Sequence, residues 1–323
     1  MFEQYLHNTI ESIEIPELGV PYHGKVRTTY DIGSDRKILI ATDRLSAFDL
    51  NITTIPLKGQ VLNQSSLYWF NASKDICPNH VICSPDPNVL VCHKLNMLPV
   101  EVIVRGYLAG STSTSILKMY KEGHREMYGV KFPDGMHDYQ KLDMPILTPT
   151  TKAGAGDHDA PLSPLEIVEK GILDKNIWET VKKYAIELFL FGQKTALQRG
   201  LILADTKYEF GIMPDGRIAI GDELHTPDSS RFWNQATYKE RLEKGIAPEA
   251  LDKDVIRSWI AAKCDPYKDP LPPIPDELRL KTTNAYVSVY EQLTAQKLEL
   301  PDAGISGQKR IKDAISFYLR NGA

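Results

Sequence analysis

The sequence is poor in cysteine and has no long hydrophobic run. Its four cysteines (Cys77, Cys83, Cys92 and Cys264) are widely and irregularly spaced, without a Cys-x-x-Cys pair, which favours reduced thiols over a disulfide framework or a zinc site. No stretch approaches the roughly 18 apolar residues that cross a bilayer, and the acidic start differs from a signal peptide. We therefore expect a cytoplasmic protein with no membrane partner.

The charge has no excess of either sign that would select a charged partner. Lys and Arg total 38 and Asp and Glu total 42, so the net charge is −4. This balance gives no electrostatic reason to bind nucleic acid. With 42% apolar residues and 323 residues in all, the chain exceeds the length at which one core stops growing, about 250–300 residues. Two or three packed subdomains are expected.

Local patterns predict both strands and helices. A hairpin is expected between Gly24 and Thr42, because two apolar runs flank a Gly33-Ser34-Asp35 turn. Ser163-Pro164-Leu165-Glu166 has the residues of a capping box and predicts a helix start. Apolar steps of three and four predict a helix over residues 175–199, ended by Gly200. After a proline-rich connector, further helices are expected over residues 276–297 and 306–320.

A second predicted hairpin, over residues 201–223, concentrates carboxylates around one lysine. If Asp215-Gly216 is a two-residue turn, Glu209 lies directly opposite Asp222, and strand alternation puts Asp205 and Lys207 on the same face. Opposed carboxylates need water or a cation, and oxygen ligands favour Mg²⁺. The alternatives are a solvated edge whose carboxylates never meet, or a three-residue loop that shifts the register.

Two further segments have residues that could bind phosphate groups. Gly24-Lys25-Val26-Arg27 places a glycine and two cations on a hairpin that could lie over a nucleoside triphosphate, although the P-loop and Rossmann motifs are missing. Gly110-Ser111 precedes a helix predicted from Thr112 or Ser113 to Lys121, and with Arg105 it could bind an anion. Solvated basic residues and a plain N-cap serine are the alternatives.

Two loops complete the candidate site. Arg231 follows the acidic hairpin, which would bring another cation near the carboxylates. Residues 148–159 are polar and glycine-rich, so they indicate either a mobile active-site loop or an ordinary surface loop.

Taken in order, these segments resemble the SAICAR synthetase family of purine biosynthesis. The segments that carry the likeness are Gly24-Lys25-Val26-Arg27 with Tyr30, Ala41-Thr42-Asp43-Arg44-Leu45-Ser46-Ala47-Phe48-Asp49, Lys58-Gly59-Gln60-Val61-Leu62-Asn63-Gln64-Ser65-Ser66, Val104-Arg105-Gly106-Tyr107-Leu108-Ala109-Gly110-Ser111, Thr148-Pro149-Thr150-Thr151-Lys152-Ala153, His158-Asp159, Asp205-Thr206-Lys207-Tyr208-Glu209-Phe210-Gly211, Gly221-Asp222-Glu223 and Pro227-Asp228-Ser229-Ser230-Arg231.

The resemblance implies an α+β fold of two lobes, similar to ATP-grasp enzymes and protein kinases. It predicts a β-rich N-terminal lobe over residues 1–98, an α/β lobe over residues 99–226 that binds ATP and Mg²⁺, and a mainly helical part over residues 227–323. It also implies an ATP-dependent ligase that joins a carboxyaminoimidazole ribonucleotide (CAIR) to L-aspartate and releases ADP and phosphate. No carboxylase domain is expected in the chain.

The resemblance assigns roles residue by residue. Lys207 and Asp205 would be catalytic, and Glu209 and Asp222 would hold Mg²⁺. ATP would be bound by the hairpin and by a kinase-like hinge for adenine, through Gly24, Lys25, Arg27, Glu101 and Val104. The other substrates would be bound by Asp43, Ser46, Arg105, Ser111, Lys152, Asp159, Ser230 and Arg231, with Arg105, Ser111 and Arg231 clamping the nucleotide phosphate.

Other activities remain as alternatives on the sequence. They are a kinase-like phosphotransferase or an ATP-grasp ligase with a different acceptor, and a nucleotide-binding module without catalysis. For the ligase, the activated species is either an acyl phosphate or a phosphorylated imidate.

Overall fold

The computed structural model describes residues 2–48, 50–110, 112–152, 160–251, 254–266 and 268–321. Within these stretches, every helix is too short or too polar to cross a membrane.

The first part of the chain forms an antiparallel sheet of five strands in the order β1-β2-β3-β7-β6. The predicted N-terminal hairpin is confirmed, since Ile32 pairs with Arg36 around the Gly33 turn. A two-stranded sheet and a helix follow that hairpin. The bounds are β1 (Tyr22–His23), β2 (Arg27–Ile32), β3 (Arg36–Ala41), β4 (Arg44–Ala47), β5 (Leu50–Thr54), α1 (Lys58–Ala72), β6 (Val81–Asp86) and β7 (Val89–His93).

A second sheet is built around two long strands that pair antiparallel, β8 (Asn96–Tyr107) and β13 (Leu201–Ile212). Its order is β11-β8-β13-β14, with β12 also paired to β8 and β15 to β13. The remaining bounds are α2 (Ile116–Lys121), β9 (Glu126–Met127), β10 (Val130–Lys131), β11 (Lys141–Leu147), β12 (Thr150–Thr151), β14 (Ile218–Gly221) and β15 (Ser230–Asn234).

Two helices pack on one face of the second sheet, and further helices follow towards the C-terminal end. As predicted, a capping box starts α3 (Pro164–Glu169), and α4 (Lys175–Gln198) ends just before Gly200 at φ +74°. The main core joins α4 to the sheet through residues such as Trp178, Tyr208 and Phe210. The last helices are α5 (Gln235–Glu243), α6 (Asp254–Ala261), α7 (Asp276–Thr294) and α8 (Gly307–Asn321).

The C-terminal helix returns to the first sheet. Ile311 and Ile315 of α8 share a buried cluster with Ile38 and Ile40 of β3. The predicted boundary at residues 98/99 falls inside β8. The division into three parts therefore stays a prediction.

Two local predictions are wrong. The turn between β13 and β14 has three residues, because the N–H of Met213 donates to the Arg217 carbonyl (2.9 Å) and Gly216 takes φ +84°. Glu209 therefore pairs with Gly221, one residue short of Asp222. The helix expected from Thr112 or Ser113 begins at Ile116 after the N-cap residue Ser115, so Gly110 is not at its N-terminus.

Candidate active site

A polar cleft of about 850 Å³ lies where the β1–β2 hairpin faces the second sheet. The hairpin contributes Gly24, Lys25 and Arg27, and the second sheet contributes Lys207 and Glu209. The remaining described lining residues come mostly from loops, and they are Tyr22, Val26, Thr29, Ser46, Ala47, Phe48, Thr112, Ser113, Thr114, Lys118, Lys152, Asp222, Glu223, Asp228, Ser229 and Arg257.

Lys207 joins two carboxylates on the floor of this cleft. Sheet pairing sets Glu209 of β13 directly opposite Glu101 of β8. The Lys207 Nζ lies 2.6 Å from Glu101 Oε1 and 2.9 Å from Glu209 Oε1, and Lys152 also contacts Glu209. Burial lowers the pKa of Lys207, but the charges of Glu209 and Glu101 outweigh it and raise that pKa overall. Lys207 is therefore a fixed ammonium.

Glu209 is correspondingly held as a carboxylate. Burial by itself would raise its pKa, but Lys207 and Lys152 lower it to about 2. The second carboxylate of the predicted metal pair, Asp222, follows the last residue of β14 and takes φ +55°. Asp222 lines the cleft in this left-handed conformation, and it does so without pairing with Glu209.

Asp222 is bound by a cation from the opposite sheet. The Arg27 Nη1 donates to Asp222 Oδ1 at 2.8 Å, and the Arg27 Nη2 lies 3.1 Å from Glu223 Oε2. Burial raises the pKa of Asp222 to about 6, Arg27 opposes that rise, and Glu209 and Glu223 add to it. Asp222 therefore lies near two further carboxylates, Glu209 and Glu223, and an additional cation next to these three groups would act favourably.

The donor set fits Mg²⁺ better than a metal held by protein alone. Glu209 and Asp222 offer oxygen atoms, and no group of three His, Cys, Asp or Glu side chains is gathered for a metal within the described part of the chain. Mg²⁺ is commonly held by one or two carboxylates, with phosphate oxygens and water filling its shell. Glu209 and Asp222 are compatible with that arrangement when a nucleotide is bound.

Asp205 lies on the same strand as Lys207 but has different partners. Its Oδ2 accepts from Arg105 Nη1 at 3.2 Å and from Arg231 Nη1, so the carboxylate joins two arginines on neighbouring strands. Arg105 is 6% exposed, and its Nε donates to the Thr148 hydroxyl at 2.9 Å. Burial and the neighbouring Arg231 lower the pKa of Arg105, while Asp205 opposes this. Arg231 also lines an adjoining cavity of about 600 Å³.

The structure brings about half of the predicted site residues to the cleft. Those that line it are Gly24, Lys25, Arg27, Ser46, Lys152, Lys207, Glu209 and Asp222. Ser111 and Asp159 are outside the described residues.

Several other predicted residues are used structurally. Asp43 is 3% exposed, and its carboxylate accepts the N–H groups of Ile10 and Gly59, both at 2.8 Å. Val104 is fully buried in β8 and pairs with Leu147 and Thr206, so this part of the expected adenine hinge is a central strand. The Ser230 hydroxyl lies 2.8 Å from that of Thr206, and the neighbouring Ser229 lines the cleft instead.

The structure adds cleft residues that the sequence analysis did not single out. Asp228 accepts from the buried Lys58 Nζ and from the Tyr286 hydroxyl, each at 2.6 Å. Arg257 of α6 lies with its Cζ 5.6 Å from the centre of the Phe48 ring, and Lys118 projects from α2. Asp228 belongs to a motif already quoted, but no local pattern marks Lys118 or Arg257.

All four cysteines are free thiols in the structure, as expected. Burial raises the pKa of the Cys77 thiol to about 12 and also raises that of Cys92. Such thiols are poor nucleophiles.

Comparison with known proteins gives a consistent result. The sequence model of SAICAR synthetase matches residues 20–274. A phosphoribosylaminoimidazole-succinocarboxamide synthase of Legionella pneumophila is 50% identical over 279 residues, which are 86% of this chain and 88% of that protein.

Two solved structures resemble the fold closely. The SAICAR synthase of Saccharomyces cerevisiae in complex with SAICAR has a TM-score of 0.79 at 30% identity, covering 90% of this chain and all (100%) of that one. A SAICAR synthetase in complex with ADP has a TM-score of 0.65 at 26% identity, covering 87% of this chain and 100% of that one. The two-lobed α+β fold is thus confirmed, and the chain belongs to the SAICAR synthetase family.

Proposed function

We propose that this protein joins CAIR to L-aspartate with ATP, giving SAICAR, ADP and phosphate in purine biosynthesis. Family membership and the activity in the name of the Legionella relative support the reaction. The ADP and SAICAR bound in the two solved structures support the nucleotide and the product. The structural observation that carries the proposal is the cleft in which hairpin cations face Glu209 and Asp222.

The reaction needs activation of a carboxylate. Direct attack by an amine would expel oxide, so the γ-phosphoryl group of ATP is first transferred to a substrate oxygen, and ADP leaves. The aspartate amine then attacks the activated carbon, phosphate departs, and the nitrogen loses a proton. Because the oxygen that is phosphorylated belongs to the carboxylate of CAIR, the activated intermediate in this proposal is an acyl phosphate.

Catalysis of phosphoryl transfer depends mostly on positioning of the reactants and neutralisation of phosphate charge. In this proposal Lys25 and Arg27 contact the phosphates from the hairpin, and Gly24 lets the backbone approach them. Lys207 supplies a permanent positive charge beside Glu209. Glu209 and Asp222 would hold Mg²⁺, which would neutralise phosphate charge when bound.

The arginine pair suits the ribonucleotide phosphate. Asp205 bridges Arg105 and Arg231, and the planar guanidinium group of arginine has several N–H donors in a geometry that suits phosphate oxygens. Asp205 therefore acts in this proposal as a positioning residue for two phosphate-binding arginines, a different role from the catalytic one that the resemblance suggested.

A coupled assay of ADP release tests the proposal. The purified protein is mixed with Mg²⁺ and ATP, and then with CAIR, L-aspartate or both. We expect sustained ADP release that requires both substrates, with SAICAR formed in equal amount. Release without aspartate dependence would favour a phosphotransferase, and no release with any combination would favour a nucleotide-binding module.

A further inference from the structure

The loop between β14 and β15, residues 222–229, has two sides with different surroundings. Asp222 and Glu223 line the cleft. The next two residues, Leu224 and His225, are fully buried (0% exposed), and Leu224 belongs to the main core. The loop therefore carries its carboxylates above the sheet and sends the two following side chains into the protein interior.

The backbone of this loop is in an unfavourable conformation at two places. Asp222 has φ +55° and His225 has φ +47°, both in the left-handed region that non-glycine residues rarely adopt. The regular pairing of β14 with β13 ends at Gly221, directly before Asp222. Such conformations persist only where surrounding contacts fix them.

His225 makes the contacts that would fix this backbone. Its Nε2 lies 2.5 Å from the Tyr208 hydroxyl, and its ring meets Trp69 edge to face with centroids 4.8 Å apart. Helix α4 leaves room for it with a glycine, since a Cβ on Gly192 would lie 2.4 Å from His225 Cε1. Burial lowers the pKa of His225 to about 3, so the imidazole is neutral.

Tyr208 is the residue of β13 between Lys207 and Glu209. Strand alternation turns its ring away from the cleft, into the core, while its two neighbours face the cleft. The hydrogen bond between Tyr208 and His225 therefore ties the loop that carries Asp222 to the strand that carries Glu209, from the opposite face of the sheet.

We propose that His225 and Tyr208 are positioning residues that set the distance between Asp222 and Glu209 for binding of the metal–nucleotide complex. This inference rests on the proposed function, because it assigns Mg²⁺ to those two carboxylates. Other contacts hold the loop as well, among them the Leu224 N–H to Ser66 Oγ (3.5 Å) and the Thr226 to Ser229 hydroxyls (3.2 Å). They lie on either side of His225 in the chain.

The test compares Tyr208→Phe with Tyr30→Phe. Both changes remove one buried hydroxyl, but Tyr30 is in the first sheet, where its hydroxyl accepts from the Ile15 N–H at 2.9 Å. In Tyr208→Phe we expect the Mg²⁺ concentration that half-maximally enhances ADP binding, measured by calorimetry, to rise about tenfold. The KM for ATP should rise similarly, with the KM for CAIR unchanged. Tyr30→Phe should change none of these values, even if both variants melt at a lower temperature.

A double variant separates positioning from stability. Tyr208→Phe with His225→Leu leaves neither partner of the hydrogen bond unpaired, so it should melt at a higher temperature than His225→Leu alone, which has the same leucine at the left-handed position but a buried Tyr208 hydroxyl without its partner. The weakened Mg²⁺ response of the double variant should persist, and amide hydrogen exchange in residues 222–226 should remain about tenfold faster than in the wild type.

The Mg²⁺ response and hydrogen exchange test the inference, whereas ADP release by the wild type tests the proposed function. An unchanged Mg²⁺ response and unchanged exchange in both Tyr208 variants would overturn the inference and leave the ligase activity standing. A wild-type protein that releases no ADP would overturn the proposed function, while faster exchange in residues 222–226 would still show that Tyr208 holds the loop.

Discussion

Lys207 lies between two carboxylates that the sheet sets directly opposite each other, Glu101 and Glu209. Like charges at such positions destabilise a sheet, so the lysine stabilises this strand pair in addition to the role at the phosphates that we propose for it. The Lys207 ammonium lies 2.6 Å from Glu101 and 2.9 Å from Glu209. Lys152 also contacts Glu209.

We predict that Lys207→Met lowers kcat about a hundredfold or more. Loss of one preorganised charge at a phosphoryl-transfer site costs on the order of 3 kcal/mol in the transition state. Steady-state ADP release measures the effect, and circular dichroism checks that the variant is folded. Lys141→Met, at an exposed position of β11 in the same sheet, is the control and should keep full activity. Turnover near the wild-type rate in Lys207→Met would refute the assignment.

Asp43 shows what a motif cannot reveal about a residue. It was expected to bind substrate, but its two oxygens accept backbone N–H groups from the N-terminal segment and from α1. An aspartate that organises backbone and one that binds substrate look the same in sequence. The difference depends on the contact of Ile10 with a residue 33 positions away, which no local pattern contains.

We predict that Asp43→Asn lowers the free energy of unfolding by about 1–3 kcal/mol, because the new NH₂ group would face one of the two N–H donors. Burial raises the pKa of Asp43 to about 6, opposed by the bonds from Ile10 and Gly59. Between its unfolded pKa of about 3.9 and the folded value, the folded state binds the proton and the unfolded state does not. Stability from this group is therefore present at low pH and is lost as pH rises through about 6.

Urea unfolding of the wild type and of Asp43→Asn at pH 7 and pH 5 measures this pH dependence of stability. The variant is the control, because its side chain cannot titrate at position 43. The stability advantage of the wild type should be larger at pH 5 than at pH 7. An advantage that shrinks on acidification would mean that the two N–H donors lower the pKa of Asp43.

The helix ends with strong local signals were predicted well, the helix start after Gly110 was misplaced, and α1, α5 and α6 were not predicted. The capping box at Ser163 and the glycine after α4 fix those ends by local chemistry. Residues 112–114 contain two threonines and a serine, which can bond to nearby backbone outside a helix. There the Ser115 N–H donates to the Thr112 carbonyl at 3.0 Å, and the helix begins afterwards.

Close packing of α4 against the loop of residues 222–229 leads to a prediction for Gly192→Ala. In an isolated helix alanine is more stable than glycine by about 1 kcal/mol. Here the added Cβ would lie 2.4 Å from His225 Cε1, and such overpacking costs about 1–3 kcal/mol. We expect a net loss of stability in thermal unfolding.

The same change made together with His225→Ala is the matched control. Without the imidazole, the remaining close atom is Leu203 Cδ2 at 2.9 Å from the added Cβ, so Gly192→Ala should destabilise His225→Ala less than it destabilises the wild type. If it destabilises both backgrounds equally, the contact with His225 is not the cause.

The cleft is a product of the whole fold. Arg27 and Asp222 are 195 residues apart in the chain, yet their side chains meet at 2.8 Å across the two sheets. The residue patterns predicted cations on one hairpin and carboxylates on the other. The order of these segments along the chain indicated the family. The meeting of Arg27 with Asp222 depends on a three-residue turn and a left-handed aspartate, which are settled by tertiary packing.

Because both sheets contribute to the cleft, a ligand bound there should stabilise the entire molecule. We predict that ADP with Mg²⁺ raises the melting temperature, since a ligand at a hundred times its Kd stabilises the folded state by about 2.7 kcal/mol. EDTA should remove most of that rise from the wild type, because Glu209 and Asp222 then repel the phosphates. In Asp222→Asn, the rise with ADP should no longer depend on EDTA, whereas Asp215→Asn, at the exposed turn of the same hairpin, should behave like the wild type. An EDTA effect that persists unchanged in Asp222→Asn would place the metal on other residues.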